Sequence, residues 1–372
     1  MYNFVIHANF RQSPLEAHWK LSRLRLARAF ILPVLPAFNP QRIVYTMEVI
    51  NNTTDEIFQF DITFQSDTKN KTMTGESFEG LENNGSKCLK KKDHDKFLSF
   101  NELSTTDFAE PYRYPDFLRL TKSLGNLVVK IELSVISSNR PKKFPRSRLG
   151  TGRITFSKII TGTRSRHCIC SDCRTSAEPQ TKWAEIKVTT AAHVIFDRFE
   201  AENAICILNF NKKDSTKTIS LKGKDTETVS VDNDRSSVIF VTHDIKLAKS
   251  LIRSIYLFQN THKKVFKEYK MLPNNKLAIL ISHPHGWPKK VSLGTYTKIE
   301  LDGKRFKDKV YTEYTYDLHS CPGSSGAPLY FLGKQDVWSL HPHSRSIPEG
   351  SSENVVNIGH SSIEWEEVEN AK

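Results

Sequence analysis

His319-Ser320-Cys321-Pro322-Gly323-Ser324-Ser325-Gly326-Ala327-Pro328 is the stretch on which the fold turns. It sets a hydroxyl residue between glycines, with a small residue and a proline behind it. Far upstream the chain reads Thr190-Ala191-Ala192-His193. A serine hydroxyl is a weak nucleophile until an imidazole within hydrogen-bond reach takes its proton. The oxyanion formed on attack needs backbone N–H groups aimed at it, and a glycine-rich turn presents these with no side chain in the way. Together the two segments point to a serine nucleophile and its base.

Around them, short apolar stretches recur between turn-forming residues, at 127–133, 184–189, 205–210, 216–221, 238–241, 277–281, 291–298, 310–316, 329–332 and 355–358. Many short strands with few helices predict an all-β barrel or sandwich. Two helices interrupt them. One spans 112–124 with Asp116 near its start; the other spans 244–257, with Ile245, Leu247, Ala248, Leu251 and Ile252 on one face. Nearer the start, 43–50 and 57–64 alternate as strands do, while 66–107 turns polar and charged and reads as loop or disorder. There is no internal repeat.

The bulk composition narrows the class. At 372 residues the chain is long enough for a large buried core, and 38% hydrophobic residues with mean hydropathy −0.46 describe a globular protein without membrane spans. The longest apolar run, 29–38, is short and carries Pro33 and Pro36. A net charge of +13 favours acidic partners such as nucleic acid, although the basic runs at Lys90-Lys91-Lys92, Lys142-Lys143 and Lys289-Lys290 read singly as solvated loops. No nucleic-acid motif, phosphate-cradling loop or His-Glu-x-x-His accompanies them. Residues 1–46 hold six Lys/Arg against one acid, Glu16, which reads as a disordered or poorly packed basic leader. Residues 47–111 read as an ill-defined strand and loop region.

The order His, then Asp, then Ser, with Ala-Ala-His and Gly-x-Ser-Gly-x-Pro, resembles the chymotrypsin/trypsin-like serine proteases of the PA clan. It most resembles invertebrate proteins carrying a trypsin-like domain, which share Cys321-Pro-Gly-Ser-Ser-Gly-Ala-Pro328, the Thr-His-Asp at 242–244 and the His-Pro-His-Gly-x-Pro-Lys at 283–289. The likeness covers about 112–372. It implies two six-stranded antiparallel β-barrels behind an N-terminal extension, and a peptide-hydrolysing triad that requires no cofactor. His193 would be the base and Ser325, immediately before Gly326, the nucleophile. Asp232, Asp234 and Asp244 are candidates for the acid, Asp197 lying too close to His193 in sequence. The family sets the acid just ahead of an apolar strand, which selects Asp234, while Asp244 suits a helix N-cap. Gly323 and Ser325 would supply the oxyanion N–H groups, and the partner would be a polypeptide substrate. The other class of function is a catalytically silent module of this fold that binds protein or nucleic acid through a basic surface.

Three departures from the family matter. Val194 stands where secreted members have a cysteine, and no cysteine follows Cys321 to pair with it, so an intracellular protein of the cytoplasm or nucleus is expected, or one addressed to an organelle by its leader. Ser324 replaces the aspartate that pairs with a newly cut N-terminus. His319 stands at the floor of the P1 pocket in place of the aspartate of trypsin, which disfavours basic P1 residues and suits Gln, Glu or Asp.

Two further clusters remain. His167-Cys168-Ile169-Cys170-Ser171-Asp172-Cys173 suits a structural zinc, though one Cys-x-x-Cys with neighbours is half of a usual finger, and free thiols on a loop are the competing reading. His283-Pro284-His285-Gly286-Trp287-Pro288 reads as a turn between strands before it reads as a metal site, and His341 and His343 are expected in a loop.

Overall fold

The computed structural model describes residues 88, 90–140, 147–163, 166–231, 234–272, 276–306, 309–333, 341–348 and 355–364, together with three strands before residue 66. Those three, β1 (Val5–Ile6), β2 (Arg42–Ile50) and β3 (Ile57–Gln65), form an antiparallel sheet of order β1-β3-β2 within a compact unit of residues 1–72. The alternation at 43–50 and 57–64 corresponds to β2 and β3. The rest of the basic leader, Lys142-Lys143 and Asp232 lie outside the described residues.

Residues 73–372 form the second unit. Its mainly β character follows the recurrence of short apolar stretches. Strands β4 (Leu98–Ser99), β5 (Val128–Leu133), β6 (Arg148–Thr161), β7 (Lys182–Thr190), β8 (Ile205–Leu208), β9 (Ile219–Ser230) and β10 (Arg235–Thr242) come first, and all but β4 close into an antiparallel barrel of order β10-β7-β6-β5-β8-β9. The second set comprises β11 (Leu277–Ser282), β12 (Lys290–Phe306), β13 (Lys309–Tyr316), β14 (Pro328–Phe331), β15 (His341–Pro348) and β16 (Val355–Glu364). With β4 these make a seven-stranded sheet of order β11-β14-β15-β16-β13-β12-β4, and β11 also pairs with β12.

Strand β11 shows how the second set is packed. Leu277, Ile279 and Ile281 on one face join the large core shared with the closed barrel, while Ala278 and Leu280 on the other join a smaller core with Tyr314, Tyr316, Leu329 and Phe331. Because side chains alternate along a strand, one short apolar run serves two cores.

Of the helices, α1 (Pro115–Gly125) begins with Pro115 at its first position, where the missing N–H costs nothing. Two short ones follow, α2 (Ser171–Arg174) and α3 (Arg198–Glu202). The last, α4 (Ile245–Tyr269), runs twelve residues beyond the apolar pattern seen at its start, because Phe258, Thr261, His262 and Val265 continue its buried face.

Three expectations need correction. Residues 90–107 are packed and ordered: Phe97, Phe100 and Leu103 are buried, as is Phe108, and Phe100 lies in the main core. The polar and charged residues between them hid a spaced set of apolar anchors. His341 and His343 belong to β15, not to a loop, since Pro328↔Pro342 and Leu329↔His341 pair it to β14. Strand β9 continues through the polar run Lys222–Ser230, held by its pairing to β10.

Candidate functional site

His193 lies in the tight turn that follows β7, and Asp234 immediately precedes β10, the neighbour of β7 in the barrel. The register Ser236↔Thr190 brings the two loop ends together. His193 Nδ1 sits 2.7 Å from Asp234 Oδ2, and the His193 backbone N–H donates to Asp234 Oδ1 at 3.0 Å. Ser344 Oγ–H donates to the same Oδ2. The imidazole and these donors hold the Asp234 carboxyl below its ordinary range against the opposing effect of burial. Asp234 takes a φ of 46°, a left-handed conformation that Asp and Asn accept more readily than most residues.

The other aspartates have separate duties. Asp244 accepts from the N–H groups of Lys246 and Leu247 at the start of α4, as an N-cap does. Asp197 caps α3 by accepting from Glu200 N at 3.0 Å.

Ser325 lies in the turn leading into β14. Several bonds tie that turn to the His193 and Asp234 loops. The Ser325 carbonyl accepts from Thr151 N at 2.8 Å, and Thr190 Oγ1 donates to the Thr151 carbonyl at 2.7 Å. Gly326 N donates to the His343 carbonyl at 2.7 Å, one residue from Ser344. A Cβ on Gly326 would lie 2.1 Å from Thr190 Oγ1 and 2.7 Å from Ala191 N, so the residue after the serine touches the segment just before the histidine. Among the described residues, Ser325 Oγ and His193 Nε2 are both buried and neither has a hydrogen-bond partner. An orphaned buried polar atom costs roughly 1–3 kcal/mol, so two complementary ones on adjoining segments call for an explanation.

Ser324 contrasts with its neighbour. Its Oγ bonds Ser282 Oγ at 3.1 Å and accepts from Cys321 N at 3.3 Å, so its hydroxyl is occupied. Gly323 takes a φ of 94°, and its carbonyl accepts from Thr151 Oγ1 at 2.8 Å. Among the described residues no backbone carbonyl outside the strands and helices receives the N–H of Gly323 or Ser325. His319 is half-buried; burial lowers its pKa and Lys96 adds to the effect, while Asp93, Asp317 and Asp95 oppose it.

Beneath the His193 loop lies a buried ionic cluster. Glu200, fully buried, accepts from Arg140 Nε at 2.9 Å and Nη2 at 2.6 Å, pairs with Arg148 Nη2 at 2.7 Å, and accepts from Phe196 N at 2.8 Å. Arg148 Nε donates to the Val194 carbonyl at 3.4 Å, so with the Phe196 bond the cluster braces the segment just after His193. Both arginines hold the Glu200 carboxyl below its ordinary range although burial alone would raise it.

The cysteine segment gathers a ligand the sequence reading did not foresee. Cys168, Cys170 and Cys173 meet His243, not His167, and their ligand atoms all lie within 4.8 Å of one another. His243 follows the last residue of β10, and Thr242↔Ala184 carries it to the cysteine loop, where Trp183 packs on the thiols. His243 Nε2 lies 3.4, 3.8 and 3.4 Å from the sulfurs of Cys168, Cys170 and Cys173. For tetrahedral zinc with the usual bond lengths the N···S edge is about 3.6 Å. The N–H groups of Cys170, Cys173 and Gln180 aim at these sulfurs from 3.5, 3.4 and 3.4 Å, as they do around metal-bound thiolates. The four residues could hold a metal ion.

Among the described residues, no helix is long and apolar enough to cross a membrane. No protein-family model matches the chain and no curated protein matches it significantly. The functional reading therefore rests on the residues themselves.

Proposed function

We propose that this chain is a serine endopeptidase of the trypsin-like type, using His193, Asp234 and Ser325. One observation carries the reading: a buried His193 paired at 2.7 Å with a largely enclosed Asp234, its outer nitrogen orphaned, beside a turn whose serine hydroxyl is orphaned too. With Nδ1–H given to Asp234, Nε2 is left as the basic nitrogen. It takes the Ser325 proton as Oγ attacks a peptide carbonyl, then returns it to the leaving amine. Water repeats the sequence on the acyl-enzyme. The N–H groups of Gly323 and Ser325 bind the oxyanion, each worth about 2.7–4 kcal/mol of barrier. Ser344 and the His193 backbone N–H hold the carboxylate in place.

The fold supports this reading. Beyond the closed barrel, the β11–β12 pairing brings the seven-stranded sheet's order back on itself, consistent with a second barrel meeting the first at the site. His319 sets the P1 preference, favouring Gln, Glu or Asp. Zinc on Cys168, Cys170, Cys173 and His243 is structural, anchoring the end of β10 to the loop joining β6 and β7. None of the six cysteines is disulfide-bonded, which suits a reducing compartment.

The test is labelling by a fluorophosphonate, which esterifies an activated serine. Wild type is expected to label, while His193→Ala and Ser325→Ala do not; undiminished labelling of Ser325→Ala sinks the assignment. Failure of folded wild type to label, with salt-dependent nucleic-acid binding instead, supports the silent-module reading. A peptide library varied at P1 tests His319, and dominant cleavage after Arg refutes that assignment.

A further inference from the structure

Cys321 lies four residues before Ser325, in the position whose family counterpart is disulfide-bonded to a downstream cysteine that this chain lacks. The structure brings three other residues to it, from distant parts of the sequence. Cys88 comes from the segment ahead of the barrel, His94 from the short turn at 91–96, and His285 from the turn between β11 and β12; all four ligand atoms lie within 4.8 Å of one another. We infer that Cys88, His94, His285 and Cys321 form a second metal site, of the Cys2His2 type that selects zinc.

The distances match that ion. Cys88 Sγ and Cys321 Sγ are 3.7 Å apart, far outside disulfide bonding, and tetrahedral zinc sets its S···S edge at about 3.8 Å. His94 Nε2 and His285 Nε2 are 3.1 Å apart, against an N···N edge of about 3.3 Å. Two thiolates with two imidazoles are the donor set of closed structural zinc sites, and the soft sulfurs disfavour magnesium or calcium. Cys321 and His285 are buried while Cys88 and His94 are half-buried. Trp287 packs against both rings, its centroid 4.9 Å from that of His94, edge-on, and 4.8 Å from that of His285, tilted. His285 stands at a φ of 54°, a backbone conformation that its surroundings must hold.

The location gives the site its role. His285 N donates to the Pro322 carbonyl at 2.5 Å, and a Cβ on Gly323 would lie 2.7 Å from the His283 carbonyl and 3.0 Å from His285 N. The ion would thus fasten residues 88–94 to the same turn that carries Gly323 and Ser325. It joins the turn carrying Ser325 to sequence far upstream. Binding Zn²⁺ releases the two thiol protons to water, with no change of oxidation state.

Metal content of the purified, reduced full chain tests the inference, with zinc and cobalt as probes. Wild type should carry two ions. Cys173→Ser should carry one, Cys88→Ser one, and the double variant none. His94→Asn, a change on a short half-buried turn, provides a second variant should Cys88→Ser fold poorly, and it too should lose one ion. The cobalt-loaded Cys173→Ser protein isolates the second site, whose spectrum should show thiolate charge-transfer and tetrahedral d–d bands that vanish on adding Cys88→Ser. One ion in wild type, with Cys88→Ser and His94→Asn unchanged, overturns the site; so does an intact mass showing Cys88 and Cys321 linked as a disulfide.

The effect on the nucleophile turn rests on the hydrolase reading: Cys88→Ser should slow fluorophosphonate labelling by roughly tenfold to a hundredfold. Metal content is read without activity, so its failure and a failure of the hydrolase reading are separate results.

Discussion

Replacing Asp234 by Asn should inactivate the site without disturbing its shape, because the hydrogen-bond geometry leaves the amide a single workable orientation. The side chain receives a backbone N–H from His193 at Oδ1, and that donor cannot reverse. The amide oxygen must therefore occupy the Oδ1 position. This puts the NH2 at the Oδ2 position, facing His193 Nδ1 at 2.7 Å and the Ser344 hydroxyl. The hydroxyl can rotate to accept. The imidazole can accept only by moving its proton to Nε2, so the nitrogen needed as base toward Ser325 becomes a donor. A wrong tautomer in such a triad costs about four decades of rate, or about 5.5 kcal/mol at 1.36 kcal/mol per decade. Asn accepts the φ of 46° at this position, so backbone strain does not confound the variant. Fluorophosphonate labelling of Asp234→Asn should be about 10⁴-fold slower than wild type, with unchanged circular dichroism. A labelling rate within about tenfold of wild type would refute the roles given to both Asp234 and His193.

Gly326→Ala should be both destabilised and inactive. Its Cβ would meet Thr190 Oγ1 at 2.1 Å and the Thr151 carbonyl at 2.4 Å, at a φ of 81°. Overpacking and left-handed strain together cost about 2–5 kcal/mol in urea unfolding, and a wild-type midpoint with normal labelling would contradict the packed approach of the two loops. Glu200→Gln should lose about 3–5 kcal/mol at neutral pH, because two buried guanidinium groups lose their carboxylate. The Glu200 pKa is lowered on folding, so its stabilisation is complete above the unfolded value of about 4.3 and is lost as pH falls through the lower folded value. The stability gap between wild type and Glu200→Gln should therefore narrow on acidification below about pH 4; a gap that stays constant would remove the ionic account.

The local chemistry of the site could be read from the sequence, whereas its long-range partners could not. Ala191-Ala192-His193 and Gly323–Pro328 stand out by their resemblance to the trypsin-like motifs, and Asp234 because that family sets its acid just ahead of an apolar strand. Asp244 fell to capping by its position before a helix, and Asp197 to its nearness to His193 in sequence; that Asp197 caps α3 came only from the structure. Ser344 gave no signal, since a serine on a strand takes meaning only from the carboxylate beside it. His243 lay in a stretch already singled out, yet it reaches Cys173 only through the β7–β10 register. Cys88 and His94 were hidden for another reason. The lysines and aspartates around them give the segment the composition of a solvated loop, while Phe97, Phe100, Leu103 and Phe108 bury it. The closed barrel was foreshadowed by strand recurrence, but β15 was not, because His341-Pro342-His343-Ser344 has no apolar alternation.

The Ser324–Ser282 hydrogen bond bears on timing. On the endopeptidase reading, the trypsin-like enzymes that this chain resembles carry aspartate at that position, an unpaired carboxylate that keeps the turn misshapen until a cut supplies an amine. Here a neutral hydroxyl meets another neutral hydroxyl within the same domain, and both are present as soon as the chain has been made. Competence would then arrive with folding, and restraint would have to act through an inhibitor, a substrate that must be exposed, or the supply of metal.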